Sequence, residues 1–308
     1  MEQRAFPHTE VRASVVGLGC NNFGMFIDQD ATTAVVDAAL GAGVTFFDTA
    51  AMYGGGNSEV FLGQALEGRR DQAVIATKFP QSPEPGGCSP ANIRAQCEAS
   101  LDRLGMETID LYQQHYPDPE TPVADVLGTL GELVAEGKVK AIGHSNFTPE
   151  MHDEAQSIGV EIGTRFASSQ IEWNMLQRGV EEEVIPACAR NGVGVLPYFP
   201  LASGLLTGKH TRDSIEPGSR MDKGGDYFAG ILTPENFDKI EALTAWAADH
   251  DSSLLQLALQ WLASQATVIS VIAGATKPEQ VASNAAAVSK LLSAADLEEI
   301  DGLLGATD

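Results

Sequence analysis

The sequence is short of positive charge. Its 308 residues contain 19 Lys and Arg against 42 Asp and Glu, which gives a formal net charge of −23. A field of this sign repels nucleic acid and anionic membrane surfaces, so neither is expected as a partner. An anionic ligand would need a local cluster of positive charge or of backbone N–H groups.

Long apolar runs and cysteine pairs are also missing. No stretch of 18 or more uninterrupted apolar residues occurs, so no transmembrane helix is predicted. The first residues, MEQRAFPHTE, lack the apolar segment of a secretory signal. The four cysteines form no CxxC pair and have no histidines beside them at zinc-binding spacing. We therefore expect a cytoplasmic protein with reduced thiols.

What the chain does contain is a regular alternation of short β-rich runs with amphipathic helical segments. Eight apolar runs, each followed by a helix, predict parallel strands closed into a (β/α)8 TIM barrel. No linker-like composition divides the chain, so residues 1–308 are expected to form a single barrel domain. The predicted strands are Val15–Gly19, Thr45–Asp48, Ala73–Thr77, Ile109–Gln114, Val139–Ser145, Arg165–Ile171, Gly194–Tyr198 and Val268–Ala273.

The alternative to the barrel is a doubly wound open sheet. That fold predicts a G-x-G-x-x-G turn after the first strand, but Gly17, Gly19 and Gly24 in GLGCNNFG do not fit this spacing. The alternating residues on either side of Pro7–Glu10 predict an N-terminal β-hairpin that closes one end of the barrel. Extra C-terminal helices are expected, including one over Leu297–Leu304.

Polar residues at the ends of three consecutive strands indicate a site. Asp48, Lys78 and His115 end strands two, three and four, and Tyr53 lies on the loop after Asp48. Taken singly, such residues are ordinary: an Asp caps a turn, a Lys is solvated, and a His is a structural hydrogen-bonding residue. Because chemistry gathers at the carboxyl ends of barrel strands, which lie ~5 Å apart, these four side chains are expected to meet.

This set of residues suits carbonyl reduction. A nearby ammonium favours ionisation of a phenol, and a carboxylate keeps that ammonium charged and in place. Tyr53 is therefore the candidate general acid, Lys78 its tuner, Asp48 the anchor of Lys78, and His115 the group that orients the substrate. No side chain donates hydride, so a nicotinamide cofactor is implied.

Six segments of the chain resemble the aldo-keto reductase family. They follow the family's order over roughly Val15 to Ala287, and they are FFDTAAMYGGGNSEVFLGQAL, VIATKF, DLYQQHYPD, GKVKAIGHSNF, PYFPLASGLLTGK and AGATKPEQVASNAAA. The resemblance implies a (β/α)8 barrel that binds NADPH across its mouth, without a metal, and that reduces aldehydes or ketones to alcohols. The family's catalytic set falls on Asp48, Tyr53, Lys78 and His115.

The resemblance also implies the cofactor contacts. Asp48 would touch the nicotinamide ribose, and Ser145, Asn146 and Gln170 fall where the family holds the carboxamide. Tyr198 falls where an aromatic ring stacks on the nicotinamide. The pyrophosphate would lie against Phe199, Pro200, Leu201, Ala202, Ser203 and Lys209. The adenosine end would lie against Gly274, Thr276, Lys277, Gln280, Ser283 and Asn284, where backbone N–H groups at a helix start suit a phosphate.

Two departures from the family pattern bear on specificity. Gln280 stands where many members have an arginine for the 2′-phosphate, so Lys277 and Thr276 would serve instead, and NADH is possible beside NADPH. His144 stands where a small or apolar residue is more common, and it could line the pocket or pack outside it. Loops 21–28 and 116–121 and the stretch Ala202–Tyr227 should shape the pocket. The predicted pocket residues are Phe23, Tyr53, Phe79, His115, Tyr116, His144 and Trp173.

Two other functions remain open at this point. A cofactor-binding regulatory subunit, similar to potassium-channel β subunits, would use the same barrel as a redox-sensing partner. A metal-dependent barrel hydrolase would need clustered His and carboxylate ligands at strand ends, and only His115 and His144 occupy such ends. The favoured reading is an enzyme that acts on a small-molecule carbonyl substrate, with the oligomeric state open.

Overall fold

Ten strands occur in the residues described by the computed structural model, which are 1–80, 82, 86–219, 221–222 and 230–305. Two of them pair antiparallel as the predicted N-terminal hairpin, and the other eight form one parallel sheet. They are β1 (Gln3–Ala5), β2 (Arg12–Ser14), β3 (Val16–Gly19), β4 (Phe46–Asp48), β5 (Val74–Phe79), β6 (Ile109–Gln114), β7 (Val139–Ser145), β8 (Ser168–Glu172), β9 (Gly194–Tyr198) and β10 (Val271–Gly274).

The parallel sheet closes into the predicted barrel. Strands β3 to β9 pair in chain order, and β10 pairs with β3. Closure between β9 and the last segment comes from two backbone bonds, Val195 N to Thr267 O at 2.8 Å and Ile269 N to Val195 O at 2.9 Å. The barrel thus has no free edge in the described part of the chain.

Helices surround the strands on the outside. Those at the crossovers and the C-terminus are α1 (Gln29–Gly41), α2 (Asn57–Ala65), α3 (Pro90–Leu104), α4 (Val123–Ala135), α5 (Pro149–Ile162), α6 (Val184–Asn191), α7 (Pro234–Asp249), α8 (Leu254–Ala263), α9 (Pro278–Ala287) and α10 (Ala294–Leu304). Sequence signals account for their starts. In α5, Thr148 accepts a hydrogen bond from Met151 N, and Pro149 occupies the first turn.

The starts of two strands, β8 and β10, differ most from the sequence predictions. Strand β8 begins at Ser168 rather than Arg165, whose guanidinium bonds to Gln156 and to the carbonyl of Asn191. The predicted last strand, Val268–Ala273, pairs with two neighbours. Residues 267 and 269 bond to β9, whereas residues 271 to 274 pair with β3, so the regular strand is only the second half.

The barrel interior is filled by alternate residues of the strands. Phe46, for example, points inward and Phe47 outward into the layer beneath the helices. The hairpin contributes Phe6, whose ring centroid lies 5.9 Å from that of Phe46, so it covers the amino-terminal end of the barrel. No helix in the described part of the chain is long and apolar enough to cross a membrane. The single-domain organisation over residues 1–308 stays a prediction.

Candidate active site

A fully buried ion pair lies at the carboxyl ends of β4 and β5. Lys78 Nζ donates to Asp48 Oδ2 at 2.7 Å and to the carbonyl of Thr49 at 2.7 Å. Burial is the largest influence and lowers the pKa of the Lys78 ammonium, but Asp48 and Tyr53 together outweigh it, so the pKa is raised overall. Lys78 therefore stays charged although its side chain has no contact with solvent.

Tyr53 meets this pair from the loop after β4. Its ring centroid lies 5.0 Å from Lys78 Nζ, so the phenol lies beside the ammonium. Burial raises the pKa of the phenol and Lys78 lowers it, with a net upward shift. The sequence predicted the direction of the Lys78 effect, but burial is the larger one. The phenol is therefore held protonated, as a proton donor requires.

Three consecutive glycines bring the phenol to the ion pair. Gly54, Gly55 and Gly56 have φ angles of 58°, 64° and 96°, in the left-handed region that side chains other than glycine rarely adopt. A Cβ at Gly54 would lie 3.0 Å from the carbonyl oxygen of Phe23. The turn can therefore pass close under the loop after β3 and return the chain to α2.

His115 faces the same point from the end of β6. Its ring meets Tyr53 edge-on at 5.8 Å between centroids, and it stacks on Tyr116 at 4.3 Å. Burial and the charge of Lys78 lower the pKa of His115 to about 3, so the imidazole is neutral near pH 7. Its Nδ1 is buried and has no hydrogen-bond partner. The neutral ring can bind a carbonyl oxygen through one N–H group.

Two glutamine amides hold the second oxygen of Asp48. Oδ1 accepts hydrogen bonds from Gln170 Nε2 at 2.8 Å and from Gln113 Nε2 at 3.3 Å. Sequence reasoning missed Gln113. The signal was present, because Gln113 precedes His115 by two residues and so shares its face of β6.

The three residues predicted to hold a carboxamide lie together at the ends of β7 and β8. Ser145 Oγ donates to the carbonyl of Gln170 at 2.8 Å. Asn146 has a positive φ of 61°, and its Nδ2 donates to Ser145 Oγ at 3.0 Å. Tyr198, the predicted stacking residue on β9, donates from its hydroxyl to Asn146 Oδ1 at 3.0 Å. These contacts connect β7, β8 and β9 around one edge of the mouth.

The segment after β9 has the backbone of a ligand-binding turn. Phe199, Ala202 and Ser203 have φ angles of 50°, 46° and 57°. Left-handed residues other than glycine store strain and cluster at binding sites, so this turn fits the predicted pyrophosphate contact. Lys209 is half exposed and lies 3.8 Å from Glu216. Arg220 and residues 223–229, which include the end of the predicted pocket stretch Ala202–Tyr227, lie outside the described residues.

The predicted adenosine end differs from expectation in one respect. Gln280 Oε1 accepts hydrogen bonds from Thr276 N at 2.8 Å, from Thr276 Oγ1 at 3.2 Å and from Lys277 N at 3.2 Å. The backbone N–H groups expected to meet a phosphate are thus occupied by this side chain. Gly274 ends β10, and Ser283 and Asn284 lie on α9 beyond it.

His144 and Phe79 do not face the mouth, which corrects their placement in the pocket. Successive side chains of a strand point to opposite faces. His144 precedes the inward-facing Ser145, and Phe79 follows the inward-facing Lys78, so both point outward. His144 stacks on Phe147 at 3.9 Å beneath α5. Phe79 packs on Tyr112 at 4.6 Å in the layer beneath the helices.

Phe23 and Trp173 are likewise core residues. Phe23 is fully buried in the same layer as Phe79. Trp173 donates from Nε1 to Glu181 at 2.9 Å and meets Trp261 of α8 edge-on at 5.5 Å. Of the predicted pocket residues, Tyr53, His115 and Tyr116 come together, and the Tyr116 hydroxyl contacts Met52 Sδ at 3.2 Å.

The described residues include no group of three or more His, Cys, Asp or Glu side chains that could hold a metal ion. The mouth presents three proton donors of the protein: a protonated phenol, a buried ammonium and a neutral imidazole. These groups converge on one point where a carbonyl oxygen would accept hydrogen bonds. The orphaned Nδ1 of His115 and the strained turn after β9 fit a site that takes a ligand.

Comparisons with known proteins identify one matching family and several similar proteins. The model of the Aldo/keto reductase family matches residues 15–304. A probable aldo-keto reductase of Glycine max is 36% identical over 93% of this chain and 84% of its own length. The NADH-specific methylglyoxal reductase of Escherichia coli strain K12 is 35% identical over 94% of both chains. The structure of a glycerol dehydrogenase from Gluconobacter oxydans superposes with a TM-score of 0.85 at 30% identity, covering 98% of this chain and 94% of that one.

Proposed function

The chain belongs to the aldo/keto reductase family, and on that premise we propose that it reduces aldehydes or ketones to alcohols, with NADPH as the preferred cofactor and NADH accepted. The observation that carries the proposal is the position of Lys78. It is fully buried, fixed by Asp48 at 2.7 Å and in contact with the Tyr53 phenol. A buried ammonium beside a phenol serves proton transfer and is a poor choice for packing alone.

Tyr53 acts as the general acid. Burial raises the pKa of its hydroxyl, so the proton is present over the neutral range. When the proton passes to the carbonyl oxygen of the substrate, the phenolate that remains lies beside the Lys78 ammonium. That charge stabilises the phenolate at the moment it forms, because the ammonium is fully buried and water does not screen it.

His115 orients the substrate. As a neutral imidazole it donates one hydrogen bond to the carbonyl oxygen without competing for the proton of Tyr53. Its stacking on Tyr116 and edge contact with Tyr53 fix the ring plane. Two donors on one oxygen set the direction in which the carbonyl carbon faces.

A bound nicotinamide supplies the hydride that no side chain of the chain can provide. Ser145, Asn146 and Gln170 would hold its carboxamide. Because Gln170 Nε2 is bonded to Asp48, Gln170 would accept through Oε1. Tyr198 would pack on the ring, and the turn formed by Phe199, Pro200, Leu201, Ala202 and Ser203, with Lys209, would meet the pyrophosphate. Gly274, Thr276, Lys277, Gln280, Ser283 and Asn284 would meet the adenosine end.

The preference for NADPH rests on Lys277. Gln280 carries no charge and is engaged with the backbone, whereas Lys277 is an exposed cation beside Thr276 at the start of α9. Lys277→Gln should lower the ratio of kcat/KM with NADPH to that with NADH by about tenfold, since one charge-assisted contact to the 2′-phosphate is lost. Kinetics with both cofactors measure this ratio. An unchanged ratio, or a native protein that favours NADH, would contradict the preference.

A small carbonyl compound is the proposed substrate class, and the cytoplasm the proposed compartment. All four cysteines are unpaired, which supports a reducing compartment. Relatives are named for methylglyoxal and glycerol, which supports short substrates. The test is a panel of methylglyoxal, glyceraldehyde and 4-nitrobenzaldehyde with NADPH and NADH, followed at the nicotinamide absorbance. Tight cofactor binding without turnover of any compound would refute the enzyme and favour a cofactor-binding regulatory subunit.

A further inference from the structure

A second buried amide stands beside the ion pair, on the strand that carries His115. We propose that Gln113 is a positioning residue that keeps the Asp48 carboxylate fixed against the Lys78 ammonium, an inference that rests on the proposed function. In the barrel, Gln113 lies directly opposite Lys78 in the register of β5 and β6. Its side chain is fully buried.

The hydrogen bonds of Asp48 divide between its two oxygens. Oδ2 accepts from Lys78 at 2.7 Å, and Oδ1 accepts from Gln170 at 2.8 Å and from Gln113 at 3.3 Å. A carboxylate only accepts hydrogen bonds, so the Gln113 amide must present its NH2 group to it. The carboxylate is thereby held on both sides, by a cation on one oxygen and by two amides on the other.

The opposite end of the Gln113 amide has no partner. Its Oε1 is buried and accepts no hydrogen bond. A buried acceptor without a donor destabilises the fold, and an apolar side chain of the same size would avoid this penalty. The hydrogen bond that the Gln113 amide does make goes to Asp48. We therefore assign the amide a role at the ion pair rather than in packing.

Gly143 on β7 makes room for this side chain. A Cβ at Gly143 would lie 3.2 Å from Gln113 Cγ and 2.2 Å from Ser168 Oγ. The glycine at position 143 therefore leaves the space inside the barrel that the Gln113 side chain occupies. Ser168 Oγ in the same layer is also buried without a partner, and no hydrogen bond joins it to Asp48.

The charge of Lys78 depends on how firmly Asp48 is held. Burial lowers the pKa of the ammonium, and Asp48 is the largest of the influences that raise it. If the carboxylate rotates away, the pKa of Lys78 falls, and the ammonium loses its proton at a lower pH. Gln113 therefore acts on Tyr53 indirectly: it fixes Asp48, and Asp48 keeps the Lys78 ammonium charged beside the phenol.

The experiment replaces Gln113 with methionine, which keeps the length of the side chain and removes the amide. Ser168→Ala is the matched control, since it alters the same buried layer without touching Asp48. Three quantities are compared with the native protein: kcat and cofactor affinity, the alkaline limb of the pH–rate profile, and the Lys78–Asp48 distance in crystals of the cofactor-free protein. Thermal unfolding checks that each variant is folded, and Gln113→Leu is the second variant if Gln113→Met does not fold.

We expect Gln113→Met to lower kcat by about tenfold to a hundredfold, because a small misplacement near the reacting groups has effects of this size. The alkaline limb should move to lower pH, the Lys78–Asp48 contact should lengthen, and the melting temperature should hold or rise. A purely structural glutamine could not lower activity while leaving or improving stability. Ser168→Ala should match the native protein in all three quantities.

Two results would overturn the proposal. One is a folded variant with native kcat, pH profile and Lys78–Asp48 distance. The other is a fall in kcat with an unmoved Asp48 and an unchanged pH profile, which would give Gln113 a role that does not pass through Asp48. If the native protein reduces no carbonyl compound, the proposed function fails. The crystal structures still decide the positioning role, since an unmoved Asp48 refutes it.

Discussion

Two buried carboxylates with cationic partners lie at opposite ends of the barrel. Asp48 ends β4 at the mouth, and Asp110 is the second residue of β6 at the other end; each is only 3% exposed. Asp48 faces inward, and its cation, Lys78, is fully buried. Asp110 faces outward and bonds to Arg70 at 2.5 Å and Lys140 at 2.8 Å, whose side chains are 30% and 55% exposed.

The difference shows that burial of charge alone does not identify a catalytic group. Asp110 also accepts a hydrogen bond from the backbone N of Ile75 at 2.7 Å, so it joins β5 to β6 outside the lumen. Asp48 instead serves a cation that has a phenol and an imidazole beside it. The end of the barrel and the face of the strand separate the pair that we propose to be catalytic from the one that links two strands.

The largest effect is expected from breaking the inner pair. Lys78→Met should lower kcat by about 10²- to 10⁴-fold, because Tyr53 loses the charge that stabilises its phenolate. It should also destabilise the fold by about 3–5 kcal/mol, because Asp48 is left buried without its cation. Steady-state kinetics and denaturant unfolding measure the two effects. Lys140→Met is the control at the outer site and should change neither by much, since its side chain is 55% exposed.

Breaking the outer site should separate stability from activity. Asp110→Asn should lower the free energy of unfolding by about 1–3 kcal/mol, because the amide cannot accept all the hydrogen bonds that the carboxylate accepts. The kcat of the folded fraction should remain native. Urea unfolding and kinetics on the same preparation provide the measurement. If Asp110→Asn lowered kcat strongly and left stability native, Asp110 would not be a purely structural carboxylate, and the contrast with Asp48 would be wrong.

Acid should weaken the packing of α5 against β7, where His144 and His152 are buried in ring contact with each other. Burial lowers the pKa of His152 to about 4 and that of His144 further below its ordinary value. Between about pH 6.5 and 4 the unfolded chain binds protons that the folded chain does not, so stability falls as pH falls. Each such group contributes at most about 1.4 kcal/mol per pH unit.

The variant His152→Gln tests this acid sensitivity. It should flatten the dependence of the melting temperature on pH over that window. His250→Gln, which alters an exposed residue after α7, is the control and should leave the slope unchanged. If His152→Gln keeps the native slope, the acid sensitivity arises elsewhere.

Much of the fold, and the gathering of the four proposed catalytic side chains, could be predicted because both follow from local rules. Eight apolar runs give the barrel, and carboxyl-terminal strand ends gather Asp48, Lys78 and His115. The same rule of alternation identifies Gln113 as inward-facing and His144 as outward-facing, since Gly143 and Ser145 on either side of His144 face the lumen. The position of Gln113, which was missed, and that of His144, which was misplaced, could therefore have been predicted from the sequence.

Other features depend on contacts that no local pattern contains. Trp173 is drawn into the core by Glu181 and by Trp261 of α8, which lies 88 positions later in the chain. The engagement of Gln280 with the backbone of Thr276 depends on a rotamer choice at the start of α9. The change of pairing partner within residues 267–274 follows from barrel closure, which is a property of the whole sheet.

The role of Tyr53 is the central claim, and Tyr53→Phe tests it most directly. The substitution removes one hydroxyl from the contact with Lys78 and leaves the ring beside His115. We expect kcat for carbonyl reduction to fall by about 10²- to 10⁴-fold, while the dissociation constant for NADPH stays native. A native kcat, or a loss of NADPH binding that accounts for the whole defect, would contradict the account.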